Sequence, residues 1–346
     1  MPKTTPLLNT VDVPALAKDN PASEAKFSLL NTDDVLALAK DNPASAAKLS
    51  LNVEQWVSLA QKDPQATGKL IYDQTRNKTD THGKVIDKAL FEIDSDRAKA
   101  IGEALCNQLK PTQFSKVISE AFKQEIQNEM VPASLLRGKS VGTKLYNEFE
   151  TNHMRPILNP KIVPLLNSIP KEPLVKEDEK FNRFINNEDD LKNLTTQSRE
   201  IFSEILLDDC EEMVAFREIV SNIRIDGDNK EWKNEENKPL LDSKGQELIT
   251  QGTKVADTFA LLRLLIPAIT TPSDRGVKFE YENKEHKANG VVLGKILQNL
   301  ANGTIPRDTH LTEFHKEKIA KFEGPEIKNL MNQVYAKAES DQARSF

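Results

Sequence analysis

Glycine is scarce in this chain: 13 residues of 346, roughly half the ~7% of average usage. That disfavours architectures that lean on glycine turns, such as multi-blade β folds and doubly wound nucleotide-binding sheets. Cysteine is scarcer still. Cys106 and Cys210 are the only two; they cannot build a disulfide framework or a four-ligand zinc site, and they read as buried free thiols of a reducing compartment. Basic charge is in deficit, with 47 Lys+Arg against 53 Asp+Glu and a formal net charge of −6, which argues against binding nucleic acid or anionic lipid through bulk charge. No stretch approaches the ~18 apolar residues of a transmembrane segment. The start, Met1-Pro2-Lys3-Thr4-Thr5-Pro6, leads into no apolar core of the ~7–15 residues that a secretory signal needs. What is present, 38% hydrophobic and 29% charged residues, is the balance of a soluble globular chain long enough for a substantial core. The expectation is an all-α, cytoplasmic protein.

The first positive feature is a repeat. Residues 8–29 and 30–51 match at 18 of 22 positions, and 52–70 follow the same plan more loosely. Three copies of a 21–22-residue unit fit a stacked helical array. Each opens on a capping signal, such as Asn31 before Asp34 or Asn52 before Gln55, followed by a short Val/Leu/Ala run. The run ends at Asn20-Pro21, Asn42-Pro43 or Asp63-Pro64, where the residue before proline is pushed out of the α region and the helix stops. Nothing in these units is reactive, so they read as structure, or as a surface for a further protein. The expected division is 1–70 for the repeats and 71–346 for a larger helical domain.

Beyond residue 71 the apolar spacing predicts longer helices over 85–107, 113–130, 140–152 and 195–222. Segments 171–192 and 226–238 read as solvated connections or helix ends. Val277 to Tyr281 alternates like a strand and predicts a small hairpin or an extended loop. Several apparent motifs fail on spacing. Gly138-Lys139-Ser140 lacks the earlier phosphate-loop glycine, since Ala133 stands there. Asp226-Gly227-Asp228-Asn229 has Glu231 and Asn237 where a calcium loop needs its Gly and its final Glu. The five histidines (His82, His153, His286, His310 and His315) include no helical metal pair, and no metal site is expected.

Three further segments carry more. In 131–152, Pro132 breaks one helix and Ser140 caps the next, leaving Arg137-Gly138 on the short loop between them. Val255 to Pro272 is almost wholly apolar around one arginine, Arg263, so the helix is expected to be buried nearly all round. Its guanidinium must then donate to carbonyls or a carboxylate. In 291–304, Val292, Leu293, Ile296, Leu297 and Leu300 mark a buried side, while Lys295, Gln298, Asn299 and Asn302 lie on or beside the opposite face.

Taken together these segments resemble the Ras-type GTPase-activating proteins, the neurofibromin-like RasGAP family. Ser134-Leu135-Leu136-Arg137-Gly138-Lys139-Ser140 is similar to the family's finger loop, Thr-Leu-Phe-Arg-x-x-Ser. Leu261-Leu262-Arg263-Leu264-Leu265-Ile266-Pro267-Ala268-Ile269 resembles its Phe-Leu-Arg-x-x-x-Pro-Ala-Ile signature, with Leu261 in place of Phe. Lys295-Ile296-Leu297-Gln298-Asn299-Leu300-Ala301-Asn302 resembles its Lys-x-x-Gln-Asn-Leu-Ala-Asn helix. The three occur in family order over roughly residues 75–340, and the repeats lie outside the resemblance.

The resemblance implies an all-helical RasGAP-like domain that performs no reaction of its own and completes the active site of a GTP-bound Ras-superfamily small GTPase. Arg137 would be the arginine finger and Arg263 the stabiliser of its loop. Leu136, Gly138, Lys139, Leu261, Lys295, Gln298, Asn299, Asn302 and Lys316 would meet the partner. Mg²⁺ and GTP would come with that partner, and the chain would need no cofactor. The region after Asn302 departs from the family. Two alternatives stay open: a scaffold that binds a GTP-loaded GTPase without discharging it, and an adaptor whose repeats do the binding. Near-identical repeats joined to an otherwise bare domain also suggest a microbial effector acting in a host cytosol.

Overall fold

The computed structural model describes residues 30–46, 49, 51–76, 90–128, 140–177, 183–232, 238–239, 251–304, 309–321 and 323–344. The fold is all-α. No helix among the described residues is long and apolar enough to cross a membrane.

The second repeat copy forms α1 (Thr32–Asp41) and α2 (Pro43–Ala46), and the third forms α3 (Val53–Lys62) and α4 (Pro64–Arg76). Local chemistry sets each boundary. The Asn31 side chain accepts from the backbone N–H groups of Asp33 and Asp34, and Asn52 and Gln55 make a reciprocal capping box, satisfying donors that the first turn leaves unpaired. The helices stop before Pro43 and Pro64, which then serve as first residues of the next helices. Asn42 and Asp63 cap these restarts by accepting from the Ser45 and Ala66 N–H groups at 3.1 and 2.9 Å. The first copy, residues 8–29, lies outside the described residues.

The division at residue 70 falls inside α4, which runs on to Arg76. At Gly68 an added Cβ would stand 2.4 Å from the Val117 carbonyl oxygen, so α4 lies backbone-close to a helix of the main body. One continuous core extends from Val35 to Tyr335.

That body comprises α5 (Leu90–Gln108), α6 (Pro111–Asn128), α7 (Val141–Phe149), α8 (Arg155–Ser168), α9 (Glu188–Leu206), α10 (Glu211–Asp228), α11 (Gln251–Phe259), α12 (Ile266–Thr270), α13 (Lys284–Asn302), α14 (Thr309–Phe314) and α15 (Glu323–Arg344). The apolar periodicity over 195–222 reads as one helix, but the chain breaks between α9 and α10. Arg217, wholly buried, holds the break by donating to the Leu206 and Asp208 carbonyls at 3.0 and 2.6 Å, and it pairs with Asp341 of α15 at 2.6 Å. Asp226 to Asp228 form the last turn of α10 rather than a loop, and Trp232 behind them is buried with its N–H on the Gly227 carbonyl.

A small antiparallel hairpin, β1 (Val175–Glu177) with β2 (Arg183–Ile185), pairs Lys176 with Phe184. It falls in the 171–192 stretch read as a solvated connection. Its anchor is distant: Asn289 of α13 accepts from the Leu174 N–H and donates to the Pro170 and Glu172 carbonyls, which no local pattern announces. Val277 to Tyr281 is an extended loop, tied by the Val277 N–H to the Pro272 carbonyl at 2.9 Å.

Candidate functional site

Of the expected finger segment, Leu136, Arg137, Gly138 and Lys139 lie outside the described residues. The helix that follows is firmly seated. Ser140 caps α7, accepting from the Thr143 N–H at 3.3 Å. The buried Glu125 carboxylate of α6 accepts from the Gly142 N–H at 2.8 Å, a favourable place for negative charge at a helix start. Gly142 is required there, since a Cβ would stand 2.5 Å from the Phe122 ring. Tyr146, one turn on, packs edge-on against Phe259 of α11 with ring centroids 4.7 Å apart. Its buried hydroxyl has no hydrogen-bond partner among the described residues, and burial pushes its pKa up, with Glu150 adding to the rise.

Two helices here change winding. A π turn, Glu150–Met154, joins α7 to α8, and another, Ala260–Leu265, joins α11 to α12. Both precede a proline at the next helix start, Pro156 and Pro267. Proline has no N–H to donate and its ring crowds the carbonyl four residues back. The preceding residue shifts register instead: the Arg155 N–H reaches the Glu150 carbonyl and the Ile266 N–H the Leu261 carbonyl, five residues back. Such bulges turn the side chains that follow off the regular helical face.

Arg263 sits in the second of these turns. It is half-buried rather than sealed in the core, which corrects the expectation of a helix buried all round: Val255, Thr258 and Leu262 form a half-exposed stripe beside it. Leu261, expected to meet a partner, is 1% exposed; it is core packing behind Arg263 and out of a partner's reach.

Helix α13 runs antiparallel to this segment. The Thr258 hydroxyl donates to the Asn302 side-chain oxygen at 3.3 Å, and Gly294 lies so close to Thr270 that a Cβ would meet its methyl at 2.2 Å. These two rungs put Arg263 near the level of Gln298. On the outer face of α13, Val291, Lys295 and Gln298 are exposed and Asn302 is half-buried, in line at helical spacing. Asn299 is committed locally: it donates to the Lys295 carbonyl at 2.7 Å and accepts from the Thr304 hydroxyl at 2.9 Å, closing the helix before Gly303. Lys316 is exposed on a third π turn, His315–Ile319, which packs against α9.

The residue that motif reading missed is Glu150. It is 2% exposed and accepts from Arg275 Nη1 at 3.0 and 2.8 Å through its two oxygens. Burial pushes its carboxyl pKa up, opposed by Arg275 and more weakly by Arg155 and Arg263. Arg275 is the guanidinium in contact with this buried carboxylate, and the other two act on it at longer range. A charged residue amid Tyr146, Phe149 and Met154, all buried, was the available signal. No group of His, Cys, Asp and Glu able to hold a metal occurs among the described residues.

No protein-family model matches the chain, and no curated protein matches it.

Proposed function

We propose that this protein is a GTPase-activating protein for a Ras-superfamily small GTPase, supplying Arg137 in trans as an arginine finger. The observation that carries the reading is the adjacency of the segments that resemble the family. The Arg263 helix and the Lys295–Asn302 helix lie antiparallel and are joined at Thr258 and Asn302. Helix α7, which begins one residue after Ser140 and so four after Arg137, docks on the first of them through Tyr146 and Phe259.

Phosphoryl transfer asks of a protein chiefly positioning, and positive charge where negative charge develops. A guanidinium supplies that charge as a planar fork of donors that stays protonated. Arg137 would enter beside the γ-phosphate. Half-buried Arg263 would hold the carbonyls of the loop that carries it, so that the finger arrives preorganised. Exposed Lys295 and Gln298, with half-buried Asn302, would line the groove that receives the switch regions of the GTP-bound partner, and exposed Lys316 would extend that surface. GTP and Mg²⁺ belong to the partner, and this chain performs no reaction alone. The acceleration characteristic of arginine fingers in Ras-type activators, about 10³–10⁵-fold, corresponds to about 4–7 kcal/mol of barrier.

The test is single-turnover GTP hydrolysis by a panel of Ras, Rap, Rho and Rab GTPases, with wild type and Arg137→Ala in parallel. Acceleration of one GTPase, lost about 10³-fold or more in the variant while binding persists, is the expected result. Binding of a GTP-loaded GTPase without acceleration by wild type would replace this reading with a non-catalytic scaffold. Neither binding nor acceleration would leave the repeats as the functional surface.

A further inference from the structure

Two segments that the proposed function needs in fixed relation, α7 with its finger loop and the helix of Arg263, come from distant parts of the chain. Besides the Tyr146–Phe259 contact, an ionic tie joins them. Glu150 ends α7, and Arg275 lies in the 3₁₀ turn Ser273–Arg275, just after α12. One guanidinium nitrogen meets both carboxylate oxygens at 3.0 and 2.8 Å, with the carboxylate sealed and the arginine side chain 27% exposed. The neighbourhood is braced against drift. Arg155 packs its stem on Gly276, whose φ of 66° and 2.8 Å approach admit no side chain, and Arg155 also reaches the Asp274 carbonyl at 3.5 Å. Asn159 holds the Gly276 carbonyl and the Lys278 N–H at 3.1 and 2.8 Å. Both ends of the ion pair therefore sit on prepared backbone.

We infer that Glu150 and Arg275 are positioning residues for GTPase activation: their buried ion pair sets the helix leaving the finger loop against the helix that carries Arg263. The inference rests on the proposed function. A buried pair is a poor source of net stability, because desolvation offsets its attraction, but it fixes a geometry that an apolar contact would leave free to slide. Neither side chain touches the nucleotide; both act through Arg137 and Arg263.

The experiment measures GTP hydrolysis by the GTPase that wild type accelerates, as a function of activator concentration, for Glu150→Gln, Arg275→Lys and Asp341→Asn. Glu150→Gln should lower maximal stimulation by about 10- to 100-fold, the scale of a misplacement near 1 Å, with the half-saturating concentration nearly unchanged. Arg275→Lys keeps the charge but replaces a planar guanidinium of fixed orientation with a freely rotating ammonium on a shorter stem, and should lie between wild type and Glu150→Gln. Asp341→Asn strips the carboxylate from buried Arg217, in the packing of α10 on α15 rather than in this tie, and should lose stability without losing stimulation. If Glu150→Gln does not fold, Arg275→Lys, altered at the partly exposed end, carries the test. Full stimulation by the folded tie variants, or an equal loss in all three, would overturn the positioning role. Absence of acceleration by wild type would instead overturn the functional reading beneath it.

Discussion

Prolines interrupt short helices in the repeat units and in the Arg263 member of its pair with α13, yet the two regions are built by different means. In the repeats each boundary is local: Asn31, Asn42, Asn52 and Asp63 satisfy the helix starts within three residues, and Pro43 and Pro64 set the restarts. In the helix pair the same residue type does another thing. Pro267 lies inside a run too apolar to end, so the helix continues and absorbs the missing hydrogen bond as a π turn. Proline ends a helix where the next residues are free to leave the core, and deforms it where burial holds them in place.

The comparison can be broken with the two tryptophans, Trp56 in the third repeat and Trp232 behind α10, both buried. Single-tryptophan variants, Trp232→Phe and Trp56→Phe, report each region by fluorescence. Trp56→Phe should be mild, since its indole N–H has no partner among the described residues. With one continuous core, the two reporters should unfold at the same denaturant concentration. Separate midpoints would make the repeats an independent unit.

Against that background, the largest effect expected is for Asp341→Ala. It leaves wholly buried Arg217 without a carboxylate and should cost about 3–5 kcal/mol, read at both tryptophans by chemical denaturation. A loss confined to Trp232 would show that the body unfolds without the repeats. Next is Gly252→Ala, whose Cβ would meet the Arg224 carbonyl oxygen at 2.2 Å; helix backbones cannot give way as side chains do, and a cost of about 3 kcal/mol is expected. A near-neutral result would mean that α10 and α11 can part.

Asn52→Ala removes one capping box and should cost about 1 kcal/mol; a loss several times larger would show that the repeat boundary is tertiary after all. A pH dependence is also expected. Burial raises the Asp226 pKa from 3.8 to about 6, so between those values the folded state binds more proton than the unfolded one. This group's contribution to stability therefore declines as pH rises through that window. Asp226→Asn should flatten the profile there and stabilise the protein at pH 8, and an unchanged profile would count against burial as the cause. Asp208 has the opposite sign: its pKa is lowered to about 2, first by the hydrogen bond from Lys161, so its contribution is lost only in stronger acid, as pH falls from its ordinary value through 2.

Much of the candidate site was legible because its residues stand out locally. Arg263 is a lone charge in an apolar run, and Lys295, Gln298 and Asn302 repeat at helical spacing. Leu261 was misassigned to a partner surface because motif position says nothing about depth; the winding that turns Arg263 toward solvent leaves its neighbour in the core. Asn299 looked like part of the polar face, but its amide closes the end of α13. Glu150 and Arg275 escaped notice because 125 residues separate them, and no periodicity links groups so far apart.

The sequence by itself determined the helical class, the helix starts at Asn31, Asn52 and Ser140 and the stops before Pro43 and Pro64, because caps and prolines act over three or four residues. Tertiary structure alone decided that the repeats share the body's core, that Asn289 would make a hairpin of an acidic connection, that the chain would wind through π turns before Pro156 and Pro267, and that Glu150 would be sealed against Arg275. Each of these depends on which surfaces meet, and desolvation and close packing exist only once they have met.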